Sequence, residues 1–283
     1  MRVLGLGDNV VDRYVNKHVM FPGGNAVNFA VYAQKSGTEA SYLGCFGDDM
    51  EADHIIAALQ ELEIGLERCR RILGTTTERC DVNLVEGDRV FVGDDLRESK
   101  VDSICLNEKD LKLLCTFDLV HSGCYASMDK EMVKLKDLPG IVTFDFSVEE
   151  EFKEDAFLEK ICPYIDMALF SCEGMEEEEI RELQKKVYQL GTRYVLITKG
   201  TEGQILYDGR EYYKGVVKLV EAVDTMGAGD SFFTSFVVSL LKQGWKKGGQ
   251  LKREMIQSAF ETAAQFSADN CLVDGAFGFA KEI

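Results

Sequence analysis

A chain of 283 residues, 46% of them apolar, holds enough material for one large α/β domain or two small ones with a buried core. Its 49 acidic residues outnumber 32 Lys and Arg, and the net charge of −17 argues against a nucleic-acid partner, which calls for a basic surface. No apolar run reaches membrane length, Met1-Arg2-Val3 leads straight into an apolar segment without a leader, and nine scattered cysteines with no C-x-x-C pair fit reduced thiols, so the expectation is a cytoplasmic protein with no membrane partner.

Val3–Leu6 reads as a short strand, followed by Gly7-Asp8-Asn9-Val10-Val11-Asp12. Two acids and an amide beyond a strand's C-terminal end lie where open α/β sheets bind ligands, and a solvated turn explains them equally well. Pro22-Gly23-Gly24-Asn25-Ala26-Val27-Asn28 then opens a helix with Ala26, Phe29, Ala30 and Ala33 on its apolar stripe and Gly37 as its stop. Asn25 and Asn28 stand one turn apart near its start, as ligands of sugar hydroxyls or as plain caps. Residues 40–46 read as a strand, Gly47-Asp48-Asp49 as a cap, and 51–62 as a helix. The apolar runs 79–85 and 89–92 flank Glu86-Gly87-Asp88, a hairpin signal. The hairpin is either a cover over a site or a surface feature with no ligand contact.

From Asn107 the alternation is regular. Helices at 108–114, 128–136, 155–161 and 176–190 precede strands at 118–122, 141–146, 166–170 and 194–198. This pattern predicts a parallel sheet with helices on both faces. The acids of 176–179 fit a solvated first helical turn. Thr198-Lys199-Gly200-Thr201-Glu202-Gly203 follows the last of these strands, with Lys199 either near a phosphate or simply on the surface. Residues 204–207 and 211–215 read as antiparallel edge strands. Asp224-Thr225-Met226-Gly227-Ala228-Gly229-Asp230-Ser231-Phe232 enters a helix near Gly229-Asp230, whose stripe is Phe232, Phe233, Phe236, Val237, Leu240 and Leu241. Such a terminus offers unpaired N–H groups to a phosphate. Asp230 is placed there as a general base, or as an ordinary acid favoured by the helix dipole. No linker or repeat divides the chain, so residues 1–283 read as one core domain, with cover segments near 12–21 and 79–97. His18, His54 and His121 lack metal-ligand spacing.

The stretch 224–232 resembles the C-terminal signature of the ribokinase-like (PfkB) carbohydrate kinases, D-T-x-G-A-G-D-x-F, with Met226 where threonine is common. Gly23-Gly24-Asn25-Ala26-Val27-Asn28-Phe29-Ala30 resembles their N-terminal signature, G-G-x-x-x-N-x-A. The resemblance implies a three-layer α/β/α sandwich with a mainly parallel central sheet and a small β-sheet lid, which can mediate a homodimer. It implies ATP and Mg2+ as cofactors and a small sugar or sugar-amine as substrate. It makes Asp230 the base, and Gly227, Ala228 and Gly229 the anion hole. The sugar falls to Asp12, Gly23, Gly24, Asn25 and Asn28, with Asp8 as an additional acid. The nucleotide falls to Thr198, Lys199, Gly200 and Gly203, and to Ala263 and Ser267 on a last helix at 255–268. The family's N-x-x-E reads Ser171-Cys172-Glu173-Gly174 here, and its D-x-N-x-R reads Asp145-Phe146-Ser147-Val148-Glu149, so the magnesium ligands stay unassigned apart from Glu173 as a candidate. The chain is also similar to the branch acting on fructosamines, the fructoselysine 6-kinases, through Gly7–Asp12, Gly23–Asn28, Asp88-Arg89-Val90-Phe91, Phe144–Ser147 and the 224–232 stretch. That implies phosphorylation of a C6 hydroxyl. It leaves Arg89 for the substrate's distal carboxylate and Asp94, Asp95 or Glu98 for its ammonium. A plain kinase of fructose or ribose is the rival, as is a catalytically silent sugar-binding or regulatory protein; the intact Asp230 loop counts against silence.

Overall fold

A computed structural model describes residues 1–85, 87–93 and 100–283, and only the backbone of Arg89. Glu86, Asp94, Asp95 and Glu98, and the side chain of Arg89, lie outside the described residues. Eight strands form the main sheet. From one edge they run β14 (Tyr212–Gly215), β13 (Gln204–Tyr207), β12 (Tyr194–Thr198), β11 (Met167–Ser171), β10 (Ile141–Asp145), β9 (Leu119–Gly123), β1 (Arg2–Leu6) and β4 (Glu39–Leu43). The six from β12 to β4 are parallel, and β13 and β14 are antiparallel additions.

Successive residues of these strands enter two different cores. Val3, Leu119, Ile141 and Leu196 pack with helices α1 (Asn25–Lys35), α2 (Met50–Glu61), α6 (Ala228–Lys242) and α7 (Arg253–Asn270). Their neighbours Leu4, Val120, Val142 and Val195 pack with α3 (Glu108–Leu114), α4 (Asp155–Ile161) and α5 (Glu177–Gln189). Side chains alternate across a strand, so a sheet covered on both faces needs near-continuous apolar runs, which these strands have. This is the three-layer α/β/α arrangement with a mainly parallel sheet.

A second sheet takes the order β15 (Lys281–Glu282), β3 (Val19–Gly23), β2 (Val10–Tyr14), β7 (Glu78–Val85) and β8 (Asp88–Gly93). The hairpin signal at 79–92 is therefore real, but it is part of a larger sheet: β7 pairs with β2, β2 with β3, and β3 with β15 from the chain's far end. Asp12 accordingly lies on a strand and is 5% exposed, which excludes a solvated turn for it. The expected strand 40–46 breaks at Gly44 into β4 and β5 (Cys45–Phe46), the latter pairing with β6 (Arg70–Arg71). A Cβ at Gly44 would lie 2.0 Å from the Tyr42 hydroxyl oxygen and 2.4 Å from the Gly7 carbonyl, so the chain can bend there only without a side chain.

The helix expected over 128–136 is not formed. Met128, Met132 and Leu135 are buried at helical spacing, but only a 3₁₀ turn at Met132–Leu135 appears. Pro139 follows too closely for a second turn, and Lys134 N bonds back three residues to Glu131 O. Among the described residues no helix is long and apolar enough to cross a membrane.

Candidate active site

The C-terminal ends of β1 and β10 point at the N-termini of α1 and α6, and four side chains meet there. Asn25 donates through Nδ2 to Asp145 Oδ2 at 2.9 Å and to Asp230 Oδ1 at 2.8 Å. Asn28 donates to the other oxygen of Asp230 at 2.7 Å. Asp145 also accepts from Ser147 N at 2.7 Å. Neither asparagine caps its own helix. That task falls to Asp8, whose carboxylate accepts from Asn25 N at 2.7 Å and Ala26 N at 3.3 Å. Two of these carboxylates, Asp8 and Asp145, disfavour their charged forms here. Burial, with the Asp230 charge second, lifts Asp145 to about 7. Burial also lifts Asp8 to about 6, against the pull of the α1 N–H groups.

Asp230 sits in the first turn of α6, behind a loop held from three sides. Asp224, fully buried, accepts from Tyr14 Oη at 2.7 Å, Gly275 N at 2.8 Å and Met226 N at 2.9 Å. Gly227 takes the left-handed conformation (φ 71°), and a Cβ there would lie 2.2 Å from Tyr32 Oη. Ser267 Oγ donates to Ala228 O at 2.9 Å. The N–H groups of Gly227 and Gly229 have no acceptor among the described residues, and the space around Gly229 is open. Ala228 differs from expectation. Its N–H donates to Thr225 O at 3.1 Å, closing the turn, so the anion hole is left with two of its three expected donors.

The second sheet closes over this end. Asp12 reaches across to Gly23, where a Cβ would lie 2.4 Å from its Oδ2. The turn between β7 and β8 touches the loop that leads into α6, Thr225 N bonding Gly87 O at 3.2 Å and Thr225 Oγ1 bonding Asp88 Oδ1 at 3.0 Å. Toward the other side, Lys199 pairs with Glu202 at 2.6 Å, and a Cβ on Gly200 would lie 2.5 Å from the exposed Glu173 carboxylate. Thr198 bonds Ser171 Oγ at 3.2 Å. Gly203 directs the chain back into β13. Ala263 has no surface open to a ligand: it is fully buried between α6 and α7, a packing position.

A family model described as pfkB family carbohydrate kinase matches residues 2–267 of the chain. The chain belongs to that family. It is thus an enzyme, a carbohydrate kinase, and the silent-protein reading falls away. This kinase is similar to the fructosamine kinase FrlD of Bacillus subtilis (strain 168), with 33% identity over 99% of this chain and 94% of the relative. It is similar to the fructoselysine 6-kinase of Escherichia coli (strain K12), with 30% identity over 89% of this chain and 92% of the relative. Among solved structures it resembles a fructokinase with bound ATP from Xylella fastidiosa, at TM-score 0.79 and 18% identity, covering 98% of this chain and 94% of that one. That last likeness concerns fold alone.

Two residues of the kinase's site are absent from the expectations drawn from sequence. Asp145 stands at a strand's C-terminal end, the very position that flags ligand residues in open sheets, but reading it as half of a lost motif hid it. Tyr14 is one aromatic in a strand, and nothing local signals that it bonds a carboxylate 210 positions away.

Proposed function

We propose that this kinase transfers the γ-phosphoryl group of ATP to the primary C6 hydroxyl of a fructosamine such as fructoselysine. The observation that carries the reading is the pairing of a carboxylate, Asp230, held on both oxygens by amides, with a loop that presents the open N–H groups of Gly227 and Gly229. The likeness over nearly the whole chain to a fructosamine kinase and a fructoselysine 6-kinase supports the substrate class.

In this mechanism the C6 oxygen bonds to the γ-phosphorus as its proton passes to Asp230. The bond to the β–γ bridging oxygen breaks, and ADP leaves with that electron pair. The glycine N–H groups and the positive end of α6 take up charge on the transferring group. Asp12 and Asn28 hold sugar hydroxyls. Thr198, Lys199, Gly200 and Gly203 line the nucleotide. Glu173 is the candidate carboxylate for a Mg2+ that ATP would bring with its phosphates. When bound, that ion neutralises phosphate charge.

Steady-state kinetics with fructoselysine, fructose and ribose test the substrate, and Asp230→Asn tests the base. Fructoselysine should have the highest kcat/KM. Asp230→Asn should keep substrate binding and lower kcat by roughly 10²–10⁴. A better rate with fructose would replace the fructosamine reading by that of a fructokinase, a second reading supported by 26% identity to an Escherichia coli fructokinase over 91% of this chain.

A further inference from the structure

One buried ionisable side chain takes no part in the chemistry above. His121, in β9, is 1% exposed. Its Nδ1 lies 2.9 Å from Thr143 Oγ1 and its Nε2 lies 3.0 Å from Asn25 Oδ1. Phe29 stacks on the ring at 4.5 Å, and Phe233 packs tilted against it at 5.3 Å. Burial drives its pKa down to about 3, so the ring is neutral and carries one N–H.

The neighbours decide which nitrogen holds that hydrogen. Both N–H bonds of Asn25 are taken by Asp145 and Asp230, so Asn25 turns an acceptor, Oδ1, toward the ring. Nε2 must therefore donate, and Nδ1 must accept from the Thr143 hydroxyl. The chain of bonds has one direction, from Thr143 through His121 and Asn25 to the two carboxylates. With Asn25 turned over, its oxygen would face both carboxylates and its NH2 group would face an N–H. The two carboxylates oppose that turn, and the ring, wedged between aromatic side chains, holds the Asn25 oxygen on its Nε2 hydrogen.

We propose that His121 is a positioning residue for phosphoryl transfer, orienting the Asn25 amide so that it holds Asp230 in place and keeps a hydrogen bond on its charged form. The inference rests on the reading of Asp230 as the base. Without the lock, Asn25 no longer donates to Asp230, a hydrogen bond that favours its charged form is lost, and the base holds its proton more tightly. Asp8, from the loop after β1, and Tyr32, from α1, also feel the charge of Asp230. Neither touches the ring, so their influence stays common to all variants.

The test compares His121→Leu, His121→Gln and Thr143→Val with the unmodified chain, using the sugar it phosphorylates best and following unfolding temperature alongside. His121→Leu should lower kcat by roughly 10–100-fold through misplacement of the base, with KM for ATP within about two-fold. Its acid limb of kcat against pH should move up by about one unit as Asp230 loses a hydrogen bond that favours its charged form. His121→Gln, which can still donate to Asn25, should stay within about five-fold of the parent and restore the limb. Thr143→Val should show a smaller shift in the same direction. A folded His121→Leu with the parental pH profile overturns the proposal, whether or not its kcat falls. If His121→Leu does not fold, an unshifted profile in Thr143→Val overturns it instead. An Asp230→Asn variant that keeps its rate refutes the base itself; an inactive one beside unshifted His121 and Thr143 variants refutes only the role of His121.

Discussion

Asp145 offers a prediction in which electrostatics and stability can be separated. Its carboxyl rises from an ordinary 3.8 to about 7, first through burial and then through the charge of Asp230. The folded state therefore holds this proton more tightly than the unfolded chain. The stabilisation is complete below about pH 3.8 and is lost as the pH climbs through 7. Three units correspond to about 4 kcal/mol over the full range, and the interval from pH 5 to pH 8 captures roughly 2–3 kcal/mol of it. Asp145→Asn removes the titration. It also disturbs the bonds from Asn25 or Ser147, a cost of about 1–3 kcal/mol that does not depend on pH. The variant should thus be less stable than the parent at pH 5 and should gain roughly 2–3 kcal/mol relative to it by pH 8. The assay is urea unfolding at both pH values, read by the fluorescence of Trp245, the chain's single tryptophan, buried edge-on to Tyr194. A stability difference that stays the same at pH 5 and pH 8, within about 1 kcal/mol, refutes the reasoning.

Asp12→Ala should raise KM for the sugar by about ten-fold or more and leave KM for ATP nearly unchanged, as loss of a buried polar contact costs roughly 1–3 kcal/mol; equal effects on both substrates would remove Asp12 from the sugar pocket. Gly227→Ala forces a Cβ toward Tyr32 Oη in a left-handed backbone, and should cost at least about 1–2 kcal/mol in thermal unfolding and weaken ATP binding. An unchanged melting temperature there would mean that the loop is not held as described. Tyr14→Phe withdraws one donor from the buried Asp224 and should cost roughly 1–3 kcal/mol in urea; a variant as stable as its parent would show that the hydroxyl is dispensable.

Much of this arrangement is legible in the sequence because it depends on local chemistry. Periodicity places α5 at Glu177–Gln189 and β12 at Tyr194–Thr198, within a residue or so of the expected bounds. The glycines and acid of 227–230 announce a helix entrance by themselves. What is not legible is set by distance along the chain. Asn25 is a plausible cap from its own neighbours, and only the approach of Asp145, 120 residues on, turns its amide to another use. His121 reads as one polar residue in an apolar strand until α1 packs on it. Ala228 matches its motif, yet the Thr225 carbonyl takes its N–H, because a turn this tight closes on its own backbone. The short strand Lys281–Glu282 carries no pattern of its own and exists because β3 offers an edge.

Asp224 joins Tyr14, Met226 and Gly275, and behind it Tyr32 and Asn270 both donate to Ala276 O. Synthesis runs from one end, so a nascent chain that has emerged as far as Asp230 already carries that carboxylate, both asparagines and the glycine loop. It does not yet have the backbone N–H of Gly275 or the carbonyl of Ala276 that hold the loop in shape. The reactive groups thus leave the ribosome well before the frame that aims them, and the site can be assembled only after translation has passed that point. A protease that severs the stretch around Gly275 would return the chain to the same unassembled condition.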